Sequence, residues 1–134
     1  MPSPGDRAEA SLVVRPEDTA RHLLDSPGDV FPEVLATAKM IALMELAASR
    51  LLKPELAPGQ LSVGVGVTVT HLAPTPVGME ARAVATYLGL EGKLHRFKVE
   101  VSDAGGVVGR GEHTRAIIDE ARLVAGAASR GKPG

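Results

Sequence analysis

"MIALMELAAS", residues 40–49, is apolar almost all the way round, yet it carries one carboxylate, Glu45. Lys39 and Arg50 bracket it, with no other charge between them. The spacing predicts a helix beginning near Ala36 or Thr37 and running to about Leu52, where Pro54 and Pro58 stop it. Met40, Ile41, Leu43, Met44, Leu46, Leu51 and Leu52, with alanines between, cover most of its circumference. A helix that apolar has to be covered on several sides rather than lie on a surface.

The cover comes from the second half of the chain. In "LSVGVGVTVTH" (61–71), Leu61, Val63, Val65, Val67 and Val69 alternate with small or polar residues, period two without a break. The Pro-rich turn "APTPVG" leads into "GMEARAVATYLGL" (78–90), and "EGK" turns the chain into "LHRFKVEVS" (94–102). There His95, Phe97, Val99 and Val101 share one face. "DAGG" (103–106) makes another tight turn before the last strand, "VVGRGEHTRAIID" (107–119). Four strands joined by short turns predict an antiparallel meander. With one apolar helix to enclose, the class is α+β, a sheet curled around a central helix. Glycines at 64, 66, 105, 109 and 111 suit bends in such a sheet. Its edge strands stay open to pairing with a second subunit.

Upstream, "ASLVV" (10–14) reads as a short strand stopped by Pro16. "PEDTARHLL" (16–24) has Asp18 or Thr19 to cap one or two helical turns, and "DSPGDVFPE" (25–33) reads as a loop. Residues 1–9 and 120–134, rich in Gly, Pro and Ser, are expected to be flexible ends around one domain spanning 10–119.

Composition excludes several functions. A net charge of −1 with no long basic run speaks against nucleic-acid binding. Phe31, Tyr87 and Phe97 are the whole aromatic set, too few for a base-stacking platform. Cysteine is absent, which removes thiolate nucleophiles and thiolate metal sites. The start lacks the apolar core of a signal peptide, and no apolar run reaches the ~18 residues of a membrane helix. A cytoplasmic protein that engages no membrane is expected.

Glu45 leads the candidates for chemistry. It either sits at the helix rim, paired with Lys39 or Arg50, or is a desolvated carboxylate facing a cleft, made more nucleophilic by poor hydration. His71 ends its strand on the apolar face, where it is either a core histidine or a general base beside a helix carboxylate. Thr37 is an ordinary N-cap by spacing. It stands eight residues before Glu45, roughly 12 Å along a helix axis. In "GRGEHTR" (109–115), Gly109, Gly111, His113 and Arg115 share one parity. A solvated face is expected for His113, and Arg115 is a candidate clamp for a phosphate or carboxylate. His22, His95 and His113 make no metal-ligand spacing with His71, so no metal is predicted.

The segments "VFPEVLATAKMIALMELAA", "GVGVTVTHLAPTPVG" and the closing "GEHTRAII" together resemble the hot-dog-fold acyl-CoA thioesterases, and within them the fluoroacetyl-CoA thioesterase-like group. The resemblance spans roughly residues 10–118. It implies a Thr–Glu–His catalytic set at Thr37, Glu45 and His71, and a glycine at Gly64 that offers its N–H to the thioester carbonyl. It further implies substrate contacts from Arg115 and from Phe31, the latter helping to close the acyl pocket. It implies a homodimer or dimer of dimers with active sites at the subunit interface, and coenzyme A only as part of the substrate, with no separate cofactor. The function expected is hydrolysis of a short-chain acyl-CoA thioester. Two alternatives share the fold: a non-catalytic acyl-CoA binder or sensor, and an enoyl-CoA hydratase or dehydratase.

Overall fold

The structure, a computed structural model, describes residues 1–23 and 26–132. In chain order it contains β1 (Arg7–Val13), α1 (Ala20–Leu23), α2 (Thr37–Leu52), β2 (Gln60–His71), β3 (Glu80–Glu91), β4 (Leu94–Asp103), β5 (Gly106–Asp119) and α3 (Glu120–Ser129). The five strands form one antiparallel sheet in the order β1-β3-β4-β5-β2, wrapped around α2. None of the helices described is long and apolar enough to cross a membrane.

The central helix forms where its sequence predicts, and Lys53, Pro54 and Glu55 close it in one 3-10 turn. Met40, Leu43, Met44, Ala47, Ala48 and Leu52 are buried against the sheet. Each of the larger side chains contributes about 1.5–3 kcal/mol by burial. From the sheet, Ala10 of β1, Ala81, Ala83, Ala85 and Tyr87 of β3, and Phe97, Val99 and Val101 of β4 meet them. The alanines of β3 keep that strand close to the helix. Gly109 on β5 does the same, since a Cβ there would overlap the Met40 thioether.

Three expectations are corrected. The strands do not form a simple meander: β3, β4 and β5 are successive hairpins, but β2 pairs with β5 and lies at the sheet edge. Residues 72–79 are too long and too proline-rich for a hairpin turn. Leu72 and Ala73 donate to the Val108 carbonyl, and the Thr75 carbonyl accepts from Leu35, so the link is pinned across the end of the sheet. The alternation of β2 is also broken. Gly64 pairs with Arg115 and Gly66 with Thr114, leaving Val65 as the extra residue of a β-bulge. Last, the chain ends are more ordered than expected. β1 begins at Arg7, and α3 occupies most of the C-terminal tail, capped where Asp119 accepts from the Arg122 N–H. Leu24 and Asp25, where a helical turn was expected to give way to a loop, and the last two residues of the tail lie outside the described residues.

Asp18 does not cap α1. Its carboxylate is buried and turns back to accept from the backbone N–H, Nε and Nη2 of Arg15 at 2.9–3.0 Å, with Lys39 of α2 at 3.4 Å. The Arg15 bonds hold its pKa at about 2, against 3.8 for an unperturbed group. A carboxyl with a depressed folded pKa stabilises the fold fully above pH 3.8, and loses that contribution as pH falls toward 2. Asp18→Asn should therefore lower stability at pH 7 by about 2 kcal/mol. Its urea midpoint should also vary less than wild type's between pH 4 and pH 2. A midpoint equal to wild type's at pH 7 would refute this stabilising role of Asp18.

Candidate active site

The bulge at Val65 decides which side chains share a face. Cross-strand partners point to the same side of a sheet. Ser62 and Gly64 before the bulge, and Val67, Val69 and His71 after it, therefore lie on the face of Ile117, Arg115, His113, Gly111 and Gly109. That face meets α2. Unbroken alternation would have put Gly64 and His71 on opposite sides.

Two groups of polar residues result, one toward each end of β2. In the first, Glu45 leans over Gly64 so closely that a Cβ on the glycine would sit 3.0 Å from Oε2. Arg115 Nη1 donates to the same Oε2 at 3.4 Å. Arg115 is buried, 6% exposed, and also donates to Ser62 Oγ from Nε and to the Ser62 carbonyl from Nη2. Its Nη1 lies 3.2 Å from His113 Nε2, and His113 Nδ1 lies 2.7 Å from the Gly66 carbonyl oxygen. A carbonyl only accepts and a guanidinium only donates, so His113 carries its proton on Nδ1 and accepts at Nε2. Burial, reinforced by the neighbouring Arg115 charge, holds its pKa below 6.5. Beside this network opens a cavity of about 150 Å³ lined by Glu45, Gly64, Val65, Gly66, Val67 and His113.

In the second group, Thr37 opens α2 but caps nothing. The N-cap is Ala36, without a side-chain cap bond, and the Thr37 hydroxyl instead lies 2.7 Å from His71 Nδ1. His71 Nε2 is buried and has no hydrogen-bond partner among the described residues. Thr37 and His71 line a second cavity, of about 270 Å³, with Leu72, Ala73 and Pro74.

Several residues are placed otherwise than their sequence suggests. Glu45 is not fully desolvated in the single chain: its side chain is 41% exposed. It pairs with neither Lys39, which serves Asp18, nor Arg50, which donates to the Glu9 carbonyl. His113 is buried rather than solvated. Arg115 turns its donors on protein groups rather than outward as a free clamp. Phe31, 45% exposed, stands in the loop before α2. Glu45 and His71 are not brought together within one chain, because about seven residues of β2, roughly 20 Å, separate Gly64 from His71. No three His, Asp or Glu side chains among the described residues cluster as a metal site requires. Ser62 and His113 were missed as site residues; the Gly64-Val65-Gly66 run inside a strand was the available signal.

The family model for fluoroacetyl-CoA-specific thioesterases matches residues 14–121. The chain belongs to that family. The fluoroacetyl-CoA thioesterase of Streptantibioticus cattleyicolor is 40% identical over 116 residues, 85% of this chain and 84% of that protein. A solved structure of the fluoroacetyl-CoA thioesterase FlK superposes with a TM-score of 0.92 at 36% identity, covering 99% of each chain. A variant of it in complex with fluoroacetate and CoA gives 0.84 at 37% identity, over 90% of this chain and 98% of that one. The hot-dog fold and the thioesterase resemblance read from the sequence are thereby shown.

Burial also lowers the pKa of His95, whose Nδ1 lies 2.8 Å from the buried Tyr87 hydroxyl. Both His95 and His113 therefore resist protonation in the folded chain, whereas an unfolded imidazole gains a proton as pH drops through 6.5. The unfolded chain binds more protons below that pH, so stability should decrease as pH falls from 6.5. His113→Phe should flatten this dependence in denaturant titrations. An unchanged slope would show that His113 is not held neutral.

Proposed function

We propose that the protein hydrolyses short-chain acyl-CoA thioesters, with Glu45, His71 and Thr37 as the reacting and orienting groups. The observation that carries this reading is the packing of the Glu45 carboxylate on Gly64 beside a small cavity. A glycine there lets a substrate carbonyl approach the backbone and accept from its N–H as negative charge develops on oxygen. The cavity is small, about 150 Å³, in keeping with a short acyl group. Glu45 then attacks the carbonyl carbon to form a mixed anhydride, which water cleaves to release the free acid and restore the carboxylate, or Glu45 removes a proton from an attacking water. The carbon–sulfur bond breaks, and His71 Nε2–H stabilises the departing thiolate, which receives the proton that water loses. In the tautomer that leaves Nε2 protonated, the Thr37 hydroxyl donates to His71 Nδ1 and orients the ring.

The reading requires two subunits. β2 is an edge strand with exposed Leu61, Val65 and Val67, apolar side chains that suit pairing with a second copy. Antiparallel pairing of β2 with its own copy, about a two-fold axis near the middle of the strand, brings the Gly64 end of one chain toward the His71 end of the other. Each Glu45–Gly64 group then meets a Thr37–His71 group across the interface. The unpartnered His71 Nε2 and the separation of Glu45 from His71 within one chain both favour this arrangement.

Glu45→Ala and Glu45→Gln should each lower kcat by at least about a hundredfold in a thiol-release assay across acetyl-, fluoroacetyl-, propionyl- and hexanoyl-CoA. Near-normal turnover in both, or stable binding of unhydrolysed acyl-CoA by wild type, would remove Glu45 from the chemistry. Mixing denatured Glu45→Ala and His71→Ala chains and refolding them together should restore activity, since one site of each mixed dimer regains both residues. Absence of recovery from mixtures that form dimers would mean that no site is shared between chains.

A further inference from the structure

His113 is a buried group bonded both to the bulge that carries Gly64 and to the guanidinium that holds Glu45. Its Nδ1–H donates to the Gly66 carbonyl, which belongs to the bulge that carries Gly64. Its Nε2 accepts from Arg115 Nη1, the atom that also donates to Glu45 Oε2. One ring thus ties the strand that presents Gly64 to the guanidinium that holds the carboxylate. The ring is itself fixed: 2% exposed, it stacks at 6.1 Å between centroids and a 31° tilt on Phe97, the residue opposite it on β4. Arg115 is held on its other side by Ser62, so the chain of contacts runs from β2 through the buried His113 and Arg115 of β5 to α2.

We propose that His113 is a positioning residue of the thioesterase reaction, setting the distance and angle between the Glu45 carboxylate and the Gly64 backbone through its bonds to Arg115 and Gly66. It is not a proton carrier, although its ring lines the cavity, because both nitrogens are committed to protein partners. The carboxylate and the N–H act on the same carbonyl group from different elements. Their separation matters to the rate, and a small misplacement of either is costly. The inference rests on the proposed role of Glu45.

Three substitutions separate the two bonds. His113→Phe keeps the ring volume and the stack on Phe97 but removes both bonds. His113→Asn places an amide N–H near the Nδ1 position and retains the bond to Gly66. His113→Gln places an amide oxygen near the Nε2 position and retains the bond from Arg115. His113→Phe should lower kcat roughly 10- to 100-fold while KM for acetyl-CoA changes by less than about threefold. The Asn and Gln variants should each lose less. In the Glu45→Gln background, adding His113→Phe should cost clearly less than it costs in wild type, because the carboxylate it positions is gone. Wild-type kcat in His113→Phe, or a double-variant loss equal to the product of the two single losses, would overturn the proposal. Should the Phe variant not fold, wild-type kcat in both the Asn and Gln variants would overturn it equally. Active Glu45→Gln refutes the role of Glu45 itself, whereas inactive Glu45→Gln with normal His113→Phe refutes only the positioning role.

Discussion

The approach of α2 to the bulged stretch of β2 sets most of what is specific about this molecule. Glu45 leans over the strand where position 64 has no side chain to crowd it, and the extra residue Val65 puts position 64 and His71 on the same face. The carboxylate stays near the strand because Arg115 reaches it from β5. That guanidinium is buried, which costs several kcal/mol unless its donors are satisfied. Ser62, His113 and Glu45 supply the acceptors. A packing fault at any of these three positions leaves a buried charge short of partners. The network is therefore a constraint on the fold as much as a feature of the site.

The same helix serves two purposes at its two ends. Its N-terminal turn places the Thr37 hydroxyl on His71, and its middle places Glu45 on Gly64. Both contacts fall on β2, so the helix and the edge strand run past each other as two rails with a polar contact at each end. Apolar packing between helix and sheet, with Met40 filling the space over Gly109, keeps those rails from sliding. Asp18 adds a further restraint near the start of the helix, through Lys39 and through its own carbonyl, which accepts from the Ala36 N–H.

What the sequence made legible follows from how local each signal is. The helix over Thr37–Leu52 was readable because its apolar residues and its terminating prolines lie within one short window. The strands β3, β4 and β5 were readable for the same reason, since tight turns at Gly92 and Gly106, both at positive φ, join them. The pairing of β2 with β5 was not, because it joins residues about fifty positions apart and no local pattern encodes which strand an edge strand chooses. The bulge was hidden by the regularity of "VGVGV", which alternates identically whether or not one residue is skipped. Since the bulge sets which face each residue takes, that omission also concealed the partnership of Ser62, Arg115 and Glu45. Glu45, His71 and Thr37 stood out as candidates from the residues themselves, and Gly64 was added by resemblance. Their grouping into two separate pairs became visible only in three dimensions.

That separation bears on how an edge strand is tolerated. An exposed, apolar, unpaired strand is a hazard for aggregation unless something satisfies it. β2 carries apolar side chains at 61, 65 and 67 and offers an open backbone. It has neither lysine nor proline along its length to discourage pairing. On the proposed reading, self-pairing resolves the hazard and completes the chemistry in one step, because the two-fold axis that closes the backbone edge also sets each carboxylate against an imidazole. Substitutions that weaken the edge would then impair turnover without touching a reacting group, and a monomer would keep both polar pairs intact and yet lack a working site.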